Sequence, residues 1–258
     1  MQAFIRLRPM PAPDRDQARS FDRVAGAYQR ARPSYPAAAV EWVLEAAPGR
    51  RVVDLAAGTG KLTEVLVAAG VDVVAVEPLA NMRVELERAL PSVRALDGSA
   101  ERIPLPDAGA DALFVGQAFH WFDEGPALAE IARVLAPGGA LGLIWNMRDD
   151  RVPWVAELTR VLLGAGDVIT ESRGIARPFR SDLFTAAERR ELPNPVEFDR
   201  ERLRDWASST SRIAVLPEAE RERVLDDVVR LADTHPALAD RRTFDMPFVA
   251  VVVRAVRR

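Results

Sequence analysis

Arg51 to Leu55 has the composition of a short buried strand. It breaks into a turn of small residues, Ala56-Ala57-Gly58-Thr59-Gly60, and resumes as an apolar-periodic helix through Leu62, Val65, Leu66 and Ala69. A strand, a glycine turn and a helix make the first half of a βαβ unit. The turn falls at the strand's carboxyl end, where open α/β sheets bind ligands. Gly58 and Gly60 admit a ligand where a Cβ would block it. The helix N-terminus adds backbone N–H groups that have no partner within the helix. A triphosphate loop would need G-x-x-x-x-G-K-[S/T]. Lys61 follows Gly60 as required, but Leu55 stands at the first glycine position and Leu62 where the hydroxyl belongs, which rejects that loop. A dinucleotide loop, G-x-G-x-x-G, is met at Gly58 and Gly60 and missed at Thr63.

Asp54, at the end of the strand, favours a third ligand. Two unit charges roughly 4 Å apart at an effective dielectric of about 20 interact by about 4 kcal/mol. Toward a pyrophosphate that interaction is repulsive, and toward the ammonium of a methionine moiety it is attractive. S-adenosylmethionine is the ligand that this selects. In the alternative reading Asp54 only braces the turn through hydrogen bonds to backbone N–H groups. Glu77 ends the next strand, at about the 20-residue spacing that brings a second acid to a ribose. A carboxylate there can accept from both ribose hydroxyls. The alternative is a helix N-terminal acid favoured by the dipole. Glu77 does not by itself separate S-adenosylmethionine from NAD.

Further strands read at Val71–Val76, Val93–Leu96, Asp111–Gly116 and Ala140–Trp145. Helices read at Leu79–Leu90 and Gly125–Leu135, and Pro137-Gly138-Gly139 reads as a turn. Five strands joined by four crossovers within about 100 residues demand a parallel, doubly wound sheet. Before it, Ser20 caps a helix through Tyr28, and Pro36 opens a second that buries Val40, Val43 and Leu44. After it, a helix covers Pro153–Leu163 and a loop holds Gly166 and Gly174. Glu191–Phe198 reads as an edge strand, because Pro193 and Pro195 forbid a central one. Asp199 caps a helix through Trp206, Glu218–Ala232 is amphipathic, and Pro247–Val256 is a last strand. The expected organisation is a flexible tail over 1–19, a helical lid over 20–49 and a cofactor-binding core over 50–147. A substrate-side insertion or cap over 148–246 and a final core strand over 247–258 complete it.

Composition removes several function classes. The chain has 258 residues, a net charge of −3 and no cysteine, so disulfide and thiolate chemistry are excluded. With only His120 and His235, a histidine-rich metal site is excluded as well. No basic block marks a nucleic-acid footprint. No apolar run has the length of a membrane span, and the N-terminus lacks the apolar region of a signal peptide. The expectation is a cytoplasmic enzyme, monomer or homodimer, that acts on a small molecule.

Four motifs carry a family resemblance: Val53-Asp54-Leu55-Ala56-Ala57-Gly58-Thr59-Gly60, Val76-Glu77-Pro78, Gly98-Ser99-Ala100-Glu101 and Leu135-Ala136-Pro137-Gly138-Gly139. Together they resemble class I S-adenosylmethionine-dependent methyltransferases of the small-molecule group called type 11. Phe21–Pro36 and Gln117–Phe122 look like the subgroup related to trans-aconitate methyltransferases. The resemblance covers roughly residues 20 to 147. One departure stands out: Ala56 occupies the first glycine of the family pattern, which predicts a slightly wider turn. The resemblance implies an α/β fold with a doubly wound, mainly parallel seven-stranded Rossmann-like sheet, its last strand antiparallel, and helical lid elements. It also implies residue roles. Asp54 and the backbone of Ala56, Gly58, Thr59 and Gly60 hold the methionine end, and Glu77 with Pro78 holds the ribose. Leu79 and Met82 pack near the adenine, while Ser99, Ala100 and Glu101 meet its amino edge. Gln117 and Ala118 approach the methionine ammonium, with Tyr28 and Arg32 closing from the N-terminal helix; Arg32 suits a carboxylate. For Tyr28 and Arg32 the plain readings are a lid core residue and a surface charge.

Methyl transfer from a sulfonium is an in-line displacement of an already activated group. Positioning can lower such a barrier by about 7–11 kcal/mol, so no catalytic triad or metal is expected. A general base is needed only where the acceptor carries a proton, and His120 is the candidate; the alternative is a packed histidine that positions Trp121. Trp121, Phe122, Trp145, Asn146 and Arg148 are the expected substrate contacts. Trp154 and Phe179 would extend an apolar wall, and Arg177 and Arg212 would join Arg148 opposite an acidic substrate. The acceptor atom is expected to be a carboxylate or hydroxyl oxygen. Two rivals remain: a nicotinamide-dependent oxidoreductase, and a catalytically silent regulatory protein that keeps the cofactor site.

Overall fold

The computed structural model describes residues 32–164, 176 and 178–258. The tail expected over 1–19, the helix expected from Ser20 to Tyr28, the loop glycines Gly166 and Gly174, and Arg177 lie outside the described residues. Helix α1 (Ala37–Leu44) precedes β1 (Arg51–Leu55). Then follow α2 (Lys61–Ala68), β2 (Asp72–Val76), α3 (Ala80–Ala89), β3 (Arg94–Leu96) and β4 (Ala110–Gly116). A single 3₁₀ turn at Phe119–Trp121 leads to α4 (Glu124–Val134), β5 (Leu135–Arg148) and α5 (Pro153–Leu163). The last elements are β6 (Glu188–Phe198), α6 (Arg200–Ser208), α7 (Ser211–Ala214), α8 (Glu218–Thr234) and β7 (Phe244–Val256).

The seven strands form one sheet in the order β3-β2-β1-β4-β5-β7-β6. Neighbours from β3 to β5 pair in parallel. β7 runs antiparallel to both β5 and β6, so six strands point one way and β7 the other. The order reverses between β1 and β4, and the carboxyl ends there are the crevice in which such sheets hold ligands. Residues alternate between two cores, as a pleated strand requires. Val53, Leu55, Leu113, Val115, Leu141 and Leu143 pack with α4 and with Phe179 and Phe184. Val52, Ala112, Phe114, Ala140 and Ile144 pack with α1, α2 and α3. Each fully buried Leu, Ile or Phe contributes roughly 1.5–3 kcal/mol.

Two readings are refined. Pro137-Gly138-Gly139 is not a free turn but lies within β5, where the register against β4 shifts between Ala110 and Ala112. The backbone of Arg257 holds it there, accepting from Gly138 N and donating to Gly139 O. The span 148–246 is not cap alone. It contributes β6 to the sheet's edge, with Pro193 opposite Val249 and Pro195 opposite Pro247, where the missing N–H groups cost no inner ladder bond. The remainder of that span builds a third apolar cluster, in which Trp154, Leu158, Leu203, Trp206, Leu225 and Val228 close over Phe198, Phe244 and Phe248. Asp199 caps α6 by accepting from Arg202 N at 2.8 Å. None of the helices among the described residues is long and apolar enough to cross a membrane.

The contact between α1 and β5 depends on Gly142, where a Cβ would stand 2.8 and 2.9 Å from the two γ carbons of Val43. A rotamer change cannot move both branches of Val43 aside. Gly142→Ala is expected to cost about 1–3 kcal/mol, read as a lower urea midpoint; an unchanged midpoint would mean that α1 is not seated as described.

Candidate functional site

The glycine turn is held by two acids from adjacent strand ends. Glu77, 5% exposed, accepts from Gly58 N through Oε2 and from Leu79 N through Oε1, each at 2.9 Å. One carboxylate therefore ties the turn after β1 to the start of α3. Asp54 lies beneath the turn at 1% exposure and accepts from the Thr63 hydroxyl at 2.6 Å. Its Oδ1 is buried without a hydrogen-bond partner. Burial pushes its pKa up to about 7; the Thr63 hydroxyl opposes this and the Glu77 charge adds to it. Ala56, at the first glycine position of the pattern, keeps the tight turn by adopting a left-handed backbone, φ 57°. That conformation costs a non-glycine residue roughly 1–2 kcal/mol. The departure from the pattern is met by backbone strain rather than by a wider turn.

A cavity of about 500 Å³ runs from this turn to the third cluster, within the usual range for small-molecule sites. Of the expected cofactor residues, Arg32, Ala56, Gly58, Glu77, Pro78, Leu79, Met82, Ser99, Ala100, Glu101, Gln117 and Ala118 border it. Gly58, at φ +56°, has nothing within 4 Å of where a Cβ would stand, so the backbone is open to a ligand there. Asp54, Thr59 and Gly60 do not border the cavity. They sit behind its wall, Asp54 and Thr59 each 1% exposed, which replaces the expected contact between Asp54 and the ligand with a bracing role. The brace runs through the Thr63 side chain rather than through backbone alone. Tyr28 lies outside the described residues.

Of the expected substrate contacts Trp121, Phe122, Asn146, Arg148 and Arg212 border the cavity. Trp145 does not: it is 1% exposed, in the core on the α4 face, because alternation along β5 turns it away from its neighbour Asn146. Trp154 and Phe179 are likewise packed in the clusters rather than on the cavity wall. Asn146 fixes the rim. Its Nδ2 donates to Ser34 O at 3.0 Å, its Oδ1 accepts from Asn194, and its backbone oxygen accepts from Gln117 Nε2 at 3.1 Å. Gln117 adopts φ 58°, a strained conformation of the kind that clusters at functional sites. His120 borders the cavity with its ring 4.8 Å from that of Trp121. Its Nδ1 is buried without a partner, and burial lowers its pKa to about 4.

Several wall residues carried no sequence signal: Met147, Leu162, Trp206, Thr210 and Phe248. Phe248 reaches the site because β7 places it opposite Arg148. Trp206 reads as ordinary helix core from its spacing with Leu203. Arg32 closes the rim by donating to Ser209 O at 2.5 Å.

Two variants test the turn. Ala56→Gly should relieve the left-handed strain for a net gain of up to about 1 kcal/mol, seen as a higher urea midpoint; a lower midpoint would show that Ala56 is not strained. Asp54 binds a proton more tightly folded than unfolded. Its stabilising contribution is therefore full below pH 4 and lost as pH rises to about 7. Asp54→Asn should remove that slope, so the midpoint difference between variant and parent grows toward pH 8; a difference constant from pH 4.5 to 8 would contradict the buried carboxyl.

A family model described as a methyltransferase domain matches residues 53–143, the span from β1 into β5. An uncharacterized methyltransferase of Mycobacterium tuberculosis is 46% identical over 241 residues, covering 93% of this chain and 97% of that protein. A demethylmenaquinone methyltransferase of Beutenbergia cavernae is 32% identical over 181 residues, 68% of this chain and 67% of its own length. Among solved structures, a candidate type II methyltransferase from Anaeromyxobacter dehalogenans shares the fold at a TM-score of 0.64 and 24% identity, covering 88% of this chain and 96% of that one. None of these comparisons supports a nicotinamide enzyme. The sheet order, the acid-braced glycine turn and these relatives agree, and the chain belongs to the class I S-adenosylmethionine-dependent methyltransferases.

Proposed function

We propose that this chain moves a methyl group in line from S-adenosylmethionine to an oxygen, carboxylate or hydroxyl, of a small-molecule acceptor. The observation that carries the reading is one continuous cavity that joins the glycine turn to an arginine- and aromatic-lined wall, with the 3₁₀ turn Phe119–Trp121 between them. The ends differ in charge. Glu77 and Glu101 stand at the turn end, and Arg32, Arg148 and Arg212 outnumber the single acid Asp150 at the other.

When bound, S-adenosylmethionine supplies a sulfonium-activated methyl group. Glu77 would accept from its ribose, with Leu79 and Met82 against the adenine. The exposed backbone at Gly58 and the Gln117 side chain would face the methionine end. Arg32 links the segment before α1 to the end of α6, which helps to exclude water from the cavity. Burial lowers the His120 pKa to about 4, which favours the neutral imidazole at neutral pH. It is a poor general base there, and its part is to hold Trp121 in the wall. A carboxylate or an acidic hydroxyl needs no base. Resemblance to trans-aconitate methyltransferases favours a carboxylate. A cytoplasmic setting, as monomer or homodimer, completes the reading.

Calorimetry should show S-adenosylhomocysteine binding and NADH not; the reverse would sink the assignment. Glu77→Ala should weaken S-adenosylhomocysteine by about tenfold or more, the loss of a charged hydrogen-bond partner. Labelled methyl should appear on an acid or phenol from an acceptor panel; cofactor binding with no transfer to any acceptor would favour the catalytically silent alternative. The rate between pH 5.5 and 8 should show no inflection that His120→Gln abolishes.

A further inference from the structure

Arg148, at the carboxyl end of β5, is built into the cavity wall in an unusual way. Its Nε donates to Thr159 Oγ1 at 2.8 Å, and Thr159 Oγ1 in turn donates to Asp150 Oδ1 at 2.7 Å. The guanidinium stands 5.7 Å from the centre of the Trp206 ring. Its orientation is therefore fixed from one edge and one face. Among the described residues it forms no ion pair, whereas Arg51, Arg133 and Arg254 are each matched to a carboxylate. Arg32 lies close enough to repel it, and burial disfavours its charge further. Asp150 is the one acid that offsets this, and it is already shared with Thr159. Around this fixed cation Met147, Leu162, Leu163, Trp206 and Phe248 supply apolar surface, with Asp150, Thr210 and Arg212 as the polar members of the same wall. A half-buried cation held rigidly beside another, with apolar neighbours, is matched by an anion carried on an apolar body.

Resting on the methyl-transfer reading, we propose that the cap end of the cavity is a subsite for the carboxylate of an apolar acid, held on the outer nitrogens of Arg148 with its hydrocarbon body against Trp206 and Phe248. The subsite sets which acids are acceptors. It disfavours neutral analogues, which offer the guanidinium no anion.

The test uses the full chain saturated with S-adenosylhomocysteine. Octanoate, decanoate and 3-phenylpropanoate are titrated calorimetrically, each beside its primary amide. At least one acid should bind about tenfold or more tightly than its amide. Arg148→Gln should abolish the preference, and Arg148→Lys, which keeps the charge without the fork, should reduce it. Affinity for S-adenosylhomocysteine, unchanged in both variants, reports that they fold; if Arg148→Gln does not fold, the lysine variant decides. Acids and amides binding alike in the parent, or a preference that survives in both variants, would overturn the subsite. Failure of the parent to bind S-adenosylhomocysteine would instead overturn the methyl-transfer reading on which the subsite rests.

Discussion

The site depends on a single carboxylate, Glu77, that satisfies two backbone N–H groups belonging to different βα turns. Gly58 follows β1 and Leu79 begins the turn into α3, and Glu77 receives a hydrogen bond from each. Buried N–H groups left unpaired are costly, and a charged acceptor is the strongest remedy. The same residue thus sets the curvature of the glycine turn and forms part of the ligand wall. Behind it Asp54 accepts from Thr63 and locks the first turn of α2 to the end of β1. The Asp54 and Glu77 charges disfavour each other, and burial resolves the conflict by leaving much of the proton population on Asp54 near neutrality.

How much of this was legible follows from how local each cause is. The strands β1 to β5 and their crossovers could be read because alternation and glycine turns are short-range signals. At the glycine-turn end of the cavity several wall residues were legible because Ala56, Gly58, Glu77, Pro78, Gln117 and Ala118 follow strand ends, whereas Met82 within α3 and Arg32 before α1 do not. The burial of Asp54 was not legible. Position at the strand end argued for a ligand contact, but only the packing of α2 shows that the side chain points beneath the turn. Trp145 failed for a related reason: strand parity sends Trp145 and Asn146 to opposite faces, and which face meets the cavity depends on the neighbouring strands. The acceptor half was least legible, because Trp206 and Phe248 come together through the antiparallel pairing of β7 and the third apolar cluster.

That third cluster is a packing unit distinct from the two that flank the parallel half of the sheet. It packs on the β6 and β7 side chains Phe198, Phe244, Met246 and Phe248 and includes no residue of the glycine turn, and polar contacts among Ser34, Asn146 and Asn194 stitch the strands beside it. Side chains in α5 and α6 can therefore change without disturbing the glycine turn. On the proposed reading, sequence drift there would alter which acceptors fit while leaving the methyl donor in place.

The position of β7 between β5 and β6 bears on how the molecule is made. During synthesis both flanking strands emerge before the one that joins them, so β6 has no sheet to pair with until β7 follows. The five-strand parallel half has no such dependence and can consolidate while the ribosome is still elongating. Until then β5 presents an open edge with apolar side chains, and nascent chains stalled between β6 and β7 are the species most exposed to edge-to-edge association.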